Sequence, residues 1–313
     1  MPWVIGVDEA GYGPNLGPLV QAAVALFLPG EDIAGWPTMK AHVRTARGKS
    51  DGRIVIDDSK KVYTRGGLAA LERTVHAVFG APGSRRTFEA CFRTLFDDDG
   101  WADLIAEPWF AAAEAYPLAM PCEALAELCP RWKGANSREC VAAVSLVQPR
   151  RFNRMVDETD SKAMVLSRGL VSLLERLRHV GEASEALLIL CDKQGGRNYY
   201  ASLVQAAFPE GWVVIECESA AESRYRVEGV GRPVTINFKP RADGDSLAVA
   251  LASMLCKYVR EVCMLQFNRF WASHVPGLTP TAGYPQDAKR FYEAIAEARA
   301  KLGYADHTLW RKR

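Results

Sequence analysis

Short apolar runs recur along the chain, and turn residues or acidic residues follow them. Trp3–Val7 stops at Asp8 and Glu9, and Leu19–Leu28 follows a glycine-rich loop. Continuous apolar runs of this length are typical of strands that are buried on both faces. Further segments with strand character are Ile54–Asp58, Cys140–Gln148, Ala186–Cys191, Trp212–Glu216 and Pro233–Phe238.

Other segments repeat their apolar residues every three or four positions, which predicts amphipathic helices. These segments are Thr64–Phe79, Ser161–Leu177, Asn198–Phe208, Leu247–Trp271 and Gln286–Leu302. Strands come first along the chain and then alternate with helices. That order predicts an α/β protein with a central mixed β-sheet flanked by helices.

The pattern also suggests a domain organisation. We expect residues 1–270 to form one domain that carries the sheet, and residues 271–313 to form a C-terminal helical extension packed on it. The segment at about 81–139 contains the acidic run Asp97–Asp99 and has little periodicity. We interpret it as an insertion with some helix.

Composition is that of an ordinary globular protein. Of the 313 residues 49% are apolar, and the formal net charge is only +2. Any nucleic-acid surface must therefore come from local clusters of Lys and Arg. The eight cysteines include no C-x-x-C pair, which argues against a structural zinc site. Cys191, Cys256 and Cys263 stand in apolar runs, so we expect buried free thiols in a reducing compartment.

Neither a signal peptide nor a membrane span is predicted. The N-terminus lacks a basic region and reaches Asp8 at once, unlike a secretory signal. No stretch approaches the roughly 20 apolar residues that are needed to cross a bilayer. We therefore expect a cytoplasmic protein without a membrane partner.

Four acidic residues stand where buried elements begin or end. Asp8 and Glu9 close the first strand. Asp192 closes a later buried strand, and Asp243 precedes the long helix. Acids at such positions are costly unless they are paired or bind a cation. Converging carboxylates without a histidine partner favour Mg²⁺ or Mn²⁺, and two such ions about 4 Å apart can promote phosphodiester hydrolysis.

Each of these acids also has a plainer interpretation. A single acid at a strand end is more often a solvated cap than a metal ligand, and an Asp before a helix is a common N-cap. By its position, Asp245 is the expected N-cap of the long helix. The residues by themselves therefore leave open whether the acids form one site.

Several segments resemble motifs of ribonuclease HII, the type 2 ribonuclease H family. Gly6–Pro14, with Gly17 and Pro18 after it, is similar to the family's opening motif G-[VIT]-D-E-[AV]-G-R-G-P. Further resembling segments are Asp57–Lys61 (D-S-K-K), Leu187–Asp192 (the strand with the third acid), Ala242–Lys257 (the stretch with the fourth acid), Arg260–Glu261 (usually Arg-Asp), Gly283–Pro285 (G-Y-P) and His307 with Arg311 (the closing His-Arg). Together they touch both ends and the middle of the chain.

The resemblance implies a ribonuclease H-like fold and a metal-dependent endonuclease. It implies that Asp8, Glu9, Asp192 and Asp243 are catalytic and hold two Mg²⁺ or Mn²⁺ ions. The implied reaction is hydrolysis of the RNA strand of RNA–DNA hybrids, and/or cleavage at ribonucleotides embedded in duplex DNA, leaving 5′-phosphate and 3′-hydroxyl ends. The expected partner is therefore nucleic acid, and we expect a monomer.

The same resemblance implies a set of substrate-binding residues: Gly11, Tyr12, Gly13, Ser59, Lys60, Lys61 and Tyr284. Glycine lets backbone amides approach a sugar–phosphate closely, and in the family this loop senses the ribose 2′-hydroxyl. The two lysines would contact phosphates. The tyrosine near the C-terminus would stack on the sugar beside the scissile bond.

The chain departs from the family's pattern in the loop and after the third acid. Tyr12 stands where the family usually has Arg, so a cation is missing beside the 2′-hydroxyl. Asp192 is followed by Lys193–Arg197, and the gap to Asp243 is longer than usual. Two alternatives stay open: a divergent nuclease of this fold that acts on another structured nucleic acid, and a non-catalytic nucleic-acid-binding module.

Overall fold

The computed structural model describes residues 2–28, 33–47, 51–80, 87–110 and 140–312. Most of the segment 81–139 lies outside the described residues, as does Arg313. In the described part of that segment, Asp97 accepts a hydrogen bond from the Gly100 amide (2.5 Å) and caps a short helix. The acidic run is therefore a helix start, where negative charge is favourable.

A mixed sheet forms the centre of the protein. The described strands are β1 (Trp3–Ala10), β2 (Leu19–Phe27), β3 (Val43–Arg44), β4 (Ile54–Val55), β5 (Val141–Val147), β6 (Leu187–Asp192), β7 (Trp212–Glu218), β8 (Ser223–Glu228) and β9 (Val234–Lys239). Seven of them pair in the order β5-β2-β1-β6-β9-β8-β7, and β3 pairs with β4 separately. β1, β6 and β9 are parallel neighbours, and the remaining pairs of the large sheet are antiparallel.

Helices cover this sheet. They are α1 (Trp36–Met39), α2 (Ser59–Phe79), α3 (Phe88–Phe92), α4 (Asp98–Ile105), α5 (Pro149–Thr159), α6 (Lys162–Leu177), α7 (Ala201–Ala207), α8 (Ala242–Asp245), α9 (Leu247–His274), α10 (Pro285–Ala294), α11 (Ala296–Lys301) and α12 (Asp306–Leu309). The predicted α/β architecture, a mixed sheet flanked by helices, is confirmed. Within the described ranges, no helix combines the length and apolarity that a bilayer crossing requires.

Both faces of the central strands are covered by apolar side chains. On β1, Val4 packs into the cluster that contains α9, and its neighbour Ile5 packs into the cluster that contains α6 and α7. Both residues are fully buried. Alternate side chains of a strand point to opposite faces, so a doubly covered strand needs a continuous apolar run. Trp3–Val7 is a continuous apolar run because both faces of β1 are covered.

Gly6 allows the long helix to approach β1 closely. A Cβ atom at this position would lie 2.1 Å from the carbonyl carbon of Ala248 and 2.1 Å from the amide nitrogen of Val249. No residue larger than glycine fits at that distance. The first turn of α9 is therefore held against the strand that carries Asp8 and Glu9.

The C-terminal segments are joined to the loop that follows β1. The Asn15 amide donates to the Gly283 carbonyl (2.8 Å), and the Arg311 amide donates to the Asn15 carbonyl (2.9 Å). α9 passes residue 270, the predicted boundary, and continues to His274. The final helices thus follow directly from a helix that packs on the sheet.

Several elements were not predicted, and two of them are longer than five residues: helix α5 and strand β8. Helix α5 buries Phe152, Met155 and Val156 at helical spacing, but its many charged residues mask the pattern. Strand β8 alternates buried Ser223, Tyr225 and Val227 with exposed residues. That alternation is typical of a half-buried strand and was detectable in the sequence.

Three predicted boundaries were wrong. The segment Gln286–Leu302 forms two helices because the chain turns at Ile295. α2 begins at Ser59 rather than Thr64, since the Asp58 carboxylate caps it by accepting from the Lys60 amide (2.8 Å). Asp245 is not the N-cap of the long helix but the last residue of α8, and Ser246 precedes the long helix.

Candidate active site

A cavity of about 680 Å³ opens at the carboxyl ends of β1 and β6. It brings together the four candidate catalytic acids and all but one of the predicted substrate-binding residues, although they are scattered over nearly the whole chain. Its lining residues are Asp8, Glu9, Ala10, Gly11, Tyr12, Asp58, Ser59, Lys60, Lys61, Asp192, Arg241, Asp243, Gly244, Asp245, Ser253, Lys257, Arg260 and Tyr284. Gly13 is the exception: it is exposed and does not line the cavity.

Strand register places Asp8 beside Asp192. Val7 pairs with Cys191 across the parallel strands β1 and β6, so the next residues of the two strands, Asp8 and Asp192, lie at the same level. Adjacent strands lie about 4.8 Å apart. Two carboxylates separated by 184 positions in the sequence therefore become neighbours.

Asp243 reaches the cavity through the short helix α8. The Ala242 amide donates to Asp192 Oδ1 (3.0 Å), which ties the start of α8 to the end of β6. Arg241, just before it, has a left-handed backbone conformation with φ of +59°, which is uncommon for a residue other than glycine. This turn directs the chain from β9 back over the carboxylates.

The two acids of β1 are held in a strongly unfavourable environment for charge. The pKa of Asp8 is raised to about 7, mainly by burial; the nearby Asp192 and Asp243 carboxylates act in the same direction, and the Ser253 hydroxyl and the Glu9 amide oppose them. Burial and the neighbouring Asp8 and Asp192 raise the pKa of Glu9 to about 8. A bound cation would relieve this repulsion.

The other two acids show the same trend. Burial raises the pKa of Asp192, opposed by hydrogen bonds from the Ala242 and Arg241 amides. Burial also raises the pKa of Asp243, with contributions from Asp58 and Asp192. The four carboxylates thus influence one another, and they form one electrostatic group.

The donor set suits a hard divalent cation. The cavity lining contains carboxylate and hydroxyl oxygens and no His or Cys, which is the chemistry that Mg²⁺ and Mn²⁺ prefer. Within the described ranges, no group of three or more His, Cys, Asp and Glu side chains is arranged to hold a metal ion. The donors therefore fit a hard cation in kind, but the described side chains do not form a ready-made metal site.

Helix α2 brings cations to the rim of the cavity. Lys60 lies near enough to lower the pKa of both Glu9 and Asp192. Lys61 Nζ is 3.4 Å from Asp57 Oδ1 and is half exposed. Ser59 is buried, and its hydroxyl shares a hydrogen bond with Ser253 (3.0 Å). This hydrogen bond connects α2 to α9 beneath the cavity.

The glycine-rich loop is supported from below by two buried arginines. Gly11 has φ of +90°, and a Cβ atom there would lie 2.5 Å from the Pro18 carbonyl and 2.6 Å from Arg260 Nε. Arg311 donates to the carbonyls of Gly11 (2.5 Å) and Pro14. Burial, with a smaller effect of Arg260, lowers the pKa of Arg311 to about 9. The loop is thereby fixed in one conformation.

Two aromatic side chains, Tyr12 and Tyr284, line the cavity. Tyr284 is 51% exposed and caps the start of α10, with the Arg260 guanidinium 5.9 Å from its ring centre. Tyr12 is partly buried, and Lys162 Nζ lies 4.3 Å from the centre of its ring. A cation therefore remains at the loop position, supplied by α6 rather than by residue 12.

Sequence reasoning assigned no part in the active site to several residues that line this cavity, and it expected Asp245 only as a helix N-cap. They are Asp58, Arg241, Asp245, Lys257 and Arg260. Arg260, which is 2% exposed, could have been recognised in the sequence, because it is a charged residue in an otherwise apolar helix face. Arg241 could not have been recognised, since its position depends on a left-handed backbone conformation that the sequence does not predict.

Fold and site together define an α/β protein with an acidic, lysine-rimmed cavity at the carboxyl ends of parallel strands. The sequence matches no protein-family model and no curated protein. Among solved structures, the chain is similar to RNase HII of Archaeoglobus fulgidus, solved as a PCNA:RNase HII complex, with 15% identity and a TM-score of 0.47, covering 99% of this chain and 94% of that chain.

Two further solved ribonucleases H are similar to the chain. Ribonuclease H2 of Pyrococcus horikoshii OT3 has 17% identity and a TM-score of 0.48, with 98% of this chain and 92% of that chain covered. Bst-RNase HIII in complex with Mn²⁺ has 17% identity and a TM-score of 0.42, with 99% of this chain and 66% of that chain covered. Ribonuclease HII is also the family whose motifs the sequence resembles.

Proposed function

We propose that the protein is a divalent-metal-dependent endonuclease that cleaves the RNA strand of RNA–DNA hybrids and/or ribonucleotides embedded in duplex DNA. One observation carries the proposal: Asp8, Glu9, Asp192 and Asp243 line a single cavity whose rim carries Lys60 and Lys61. Carboxylates alone would repel a nucleic acid. Carboxylates that hold divalent cations and are flanked by lysines present positive charge instead, which attracts the phosphates of a nucleic acid.

Asp8, Glu9, Asp192 and Asp243 would hold Mg²⁺ or Mn²⁺. When bound, two such ions lower the pKa of a water molecule and stabilise the charge that develops on the phosphate. Hydrogen bonds from the Glu9 amide to Asp8 and from the Ala242 amide to Asp192 orient the carboxylates, as supporting groups do around metal ligands. No side-chain nucleophile is needed, and the products carry 5′-phosphate and 3′-hydroxyl ends.

The remaining residues would position the substrate. Lys60 and Lys61 neutralise backbone phosphates at the rim, and the exposed ring of Tyr284 stacks on the sugar beside the scissile bond. Gly11 leaves room for a ribose against the loop, whose conformation Arg311 fixes. A 2′-hydroxyl can hydrogen-bond to such a backbone, whereas deoxyribose cannot.

The test uses three duplexes of equal length that contain an RNA stretch, a single ribonucleotide or only DNA. With Mg²⁺ or Mn²⁺, we expect cleavage of one or both ribonucleotide-containing duplexes and no cleavage when the metal is removed. Asp8→Asn should abolish cleavage, and exposed Glu293→Gln should not. If the purified protein cuts none of the three duplexes, the proposal fails.

Tyr12 favours a second candidate within the same chemistry, a nuclease for another structured nucleic acid. The aromatic ring and Lys162 replace a guanidinium at the loop, which changes the group that faces the ribose. The all-DNA duplex distinguishes the candidates: equal cleavage of all three duplexes supports the second. Binding without turnover, in the presence of either metal, would support a non-catalytic module instead.

A further inference from the structure

A second groove lies beside the helix that carries Lys60 and Lys61. Its volume is about 390 Å³, and three arginines stand on its rim: Arg44, Arg65 and Arg73. Its floor consists of small or apolar residues: Ala46, Val55, Val62, Gly66, Ala69 and Ala70. No described residue that lines it is acidic. Several cations around an open, uncharged floor suit an extended anion.

A break in α2 gives the groove its concave shape. Gly67 has φ of +62° and ψ of −155°, which interrupts the helix. Gly66 and Ala69, on the two sides of the break, bring no bulky side chain to the floor. Arg65 and Arg73 stand on the two helical segments that the break separates. The groove is therefore bordered by cations on both sides of Gly67.

The charges of Arg65 and Arg73 are available to a ligand. Both residues are exposed. Arg65 donates to the Ala46 carbonyl, a neutral partner that leaves its charge in place. The ion pairs described along this helix join Lys61 to Asp57 and Asp58, and no described acid pairs with Arg65 or Arg73. Arg44 is less available, because Asp51 lies 3.6 Å from its Nε.

The groove continues the cationic rim of the acidic cavity. Lys61 lines the cavity and Arg65 lines the groove. Residues four apart lie on the same helix face, about 6 Å apart along the axis. A sugar–phosphate backbone that leaves the cavity past Lys61 would therefore meet Arg65 next.

We propose that this groove binds the backbone of duplex nucleic acid outside the cleavage cavity, with Arg65 and Arg73 on two separate phosphates. The proposal rests on the proposed function, since it takes nucleic acid as the ligand. It extends that function by giving the enzyme a footprint beyond the cleaved nucleotide. Phosphate contacts of this kind set register and affinity without reading sequence.

The test measures binding of a fluorescein-labelled RNA–DNA hybrid by anisotropy, in EDTA so that nothing is cleaved, at several salt concentrations. Each phosphate contact contributes about 0.9 to the slope of log K against log salt. The double variant Arg65→Gln/Arg73→Gln should reduce that slope by about two and weaken binding by about tenfold or more. Arg65→Lys/Arg73→Lys should retain most of the slope, because it retains the charge.

A matched control removes two positive charges elsewhere. Arg226 and Lys301 are exposed, in ion pairs on β8 and α11, and Arg226→Gln/Lys301→Gln should leave affinity and slope unchanged. Equal melting temperatures of all variants would show that folding is intact. Parent affinity and slope in Arg65→Gln/Arg73→Gln would overturn the proposal, as would an equal loss in the control pair.

Cleavage separates this proposal from the proposed function. If the protein cuts no duplex but the groove variant still loses binding and slope, the nuclease assignment fails and the groove assignment stands. If the protein cleaves hybrids and the groove variant binds like the parent, the groove assignment fails by itself. With saturating hybrid, the single-turnover rate of the groove variant should stay within about twofold of the parent.

Discussion

Asp8 and Glu9 are two acids whose charged form the folded protein disfavours. Both are partly buried among other carboxylates, and burial raises the pKa of Asp8 to about 7 and of Glu9 to about 8. A group whose folded pKa lies above its unfolded value favours the folded state at low pH, and this contribution is lost as the pH rises through the folded pKa. In the absence of metal, these acids therefore destabilise the protein at neutral and alkaline pH.

We predict that Asp8→Asn stabilises the metal-free protein more at pH 8.5 than at pH 5, because the destabilisation grows between the unfolded and the folded pKa of Asp8. The amide removes a charge that the fold disfavours, and a gain of about 1 kcal/mol raises Tm by about 2–4 °C in a chain of this size. The measurement is the Tm difference between variant and parent in EDTA at both pH values. Glu293→Gln, which changes an exposed acid, should show no such difference, and a Tm gain at pH 5 as large as at pH 8.5 would contradict the assignment.

Gly11 and Gly13 provide a second comparison between single residues. Gly11 has φ of +90° and contacts the Pro18 carbonyl and Arg260, whereas the nearest atom to a Cβ on Gly13 is 4.0 Å away. Gly11→Ala should therefore cost about 1–3 kcal/mol of unfolding free energy, and Gly13→Ala less than about 1 kcal/mol. Urea denaturation of the two variants measures this, and equal losses would show that the loop is not held as described.

At the scale of elements, the contact between α9 and β1 sets the site. Gly6 lets the helix begin against the strand, and the same helix carries Cys256, whose thiol donates to the Asp8 carbonyl (3.1 Å). The two elements together fix where the first two acids point. A change at their contact should therefore affect both stability and cleavage.

Gly6→Ala should lower the unfolding free energy by about 3 kcal/mol or more. The reason is that the new methyl group would overlap the backbone of Ala248 and Val249. Gly196→Ala is the control, since a Cβ there meets nothing within 4 Å. Chemical denaturation and cleavage rates of the two variants check this. A Gly6→Ala protein as stable and active as the Gly196→Ala protein would rule out the close contact.

Elements were predictable from the sequence where burial imposed a clear period. The doubly covered β1 and β6 read as apolar runs, and α9 as a long apolar helix. α5 was hidden because its exposed face carries charges in almost every turn. The end of α10 at Ile295 could not be predicted, because the residues around it have good helix propensity. Only tertiary packing decides that the chain turns there.

At the scale of the whole molecule, sheet topology brings together acids that are distant in sequence. β1 and β6 are parallel neighbours, so their carboxyl ends meet at one edge. The α8 turn returns the chain to that edge after β9. The motifs identified the acids, but the mutual repulsion that shifts their pKa depends on distances that only the folded chain defines. The buried supports Arg260 and Arg311 are likewise products of packing.

The central claim is that Asp8, Glu9, Asp192 and Asp243 jointly hold divalent cations. A crystal structure of the protein soaked in Mn²⁺, with the metal located by anomalous scattering, tests it most directly. We predict anomalous peaks in the cavity with carboxylate oxygens of all four residues at about 2.1 Å, the usual length for a small, hard divalent ion. A cavity without a peak, or a peak that leaves Asp192 or Asp243 uncoordinated, would contradict the claim.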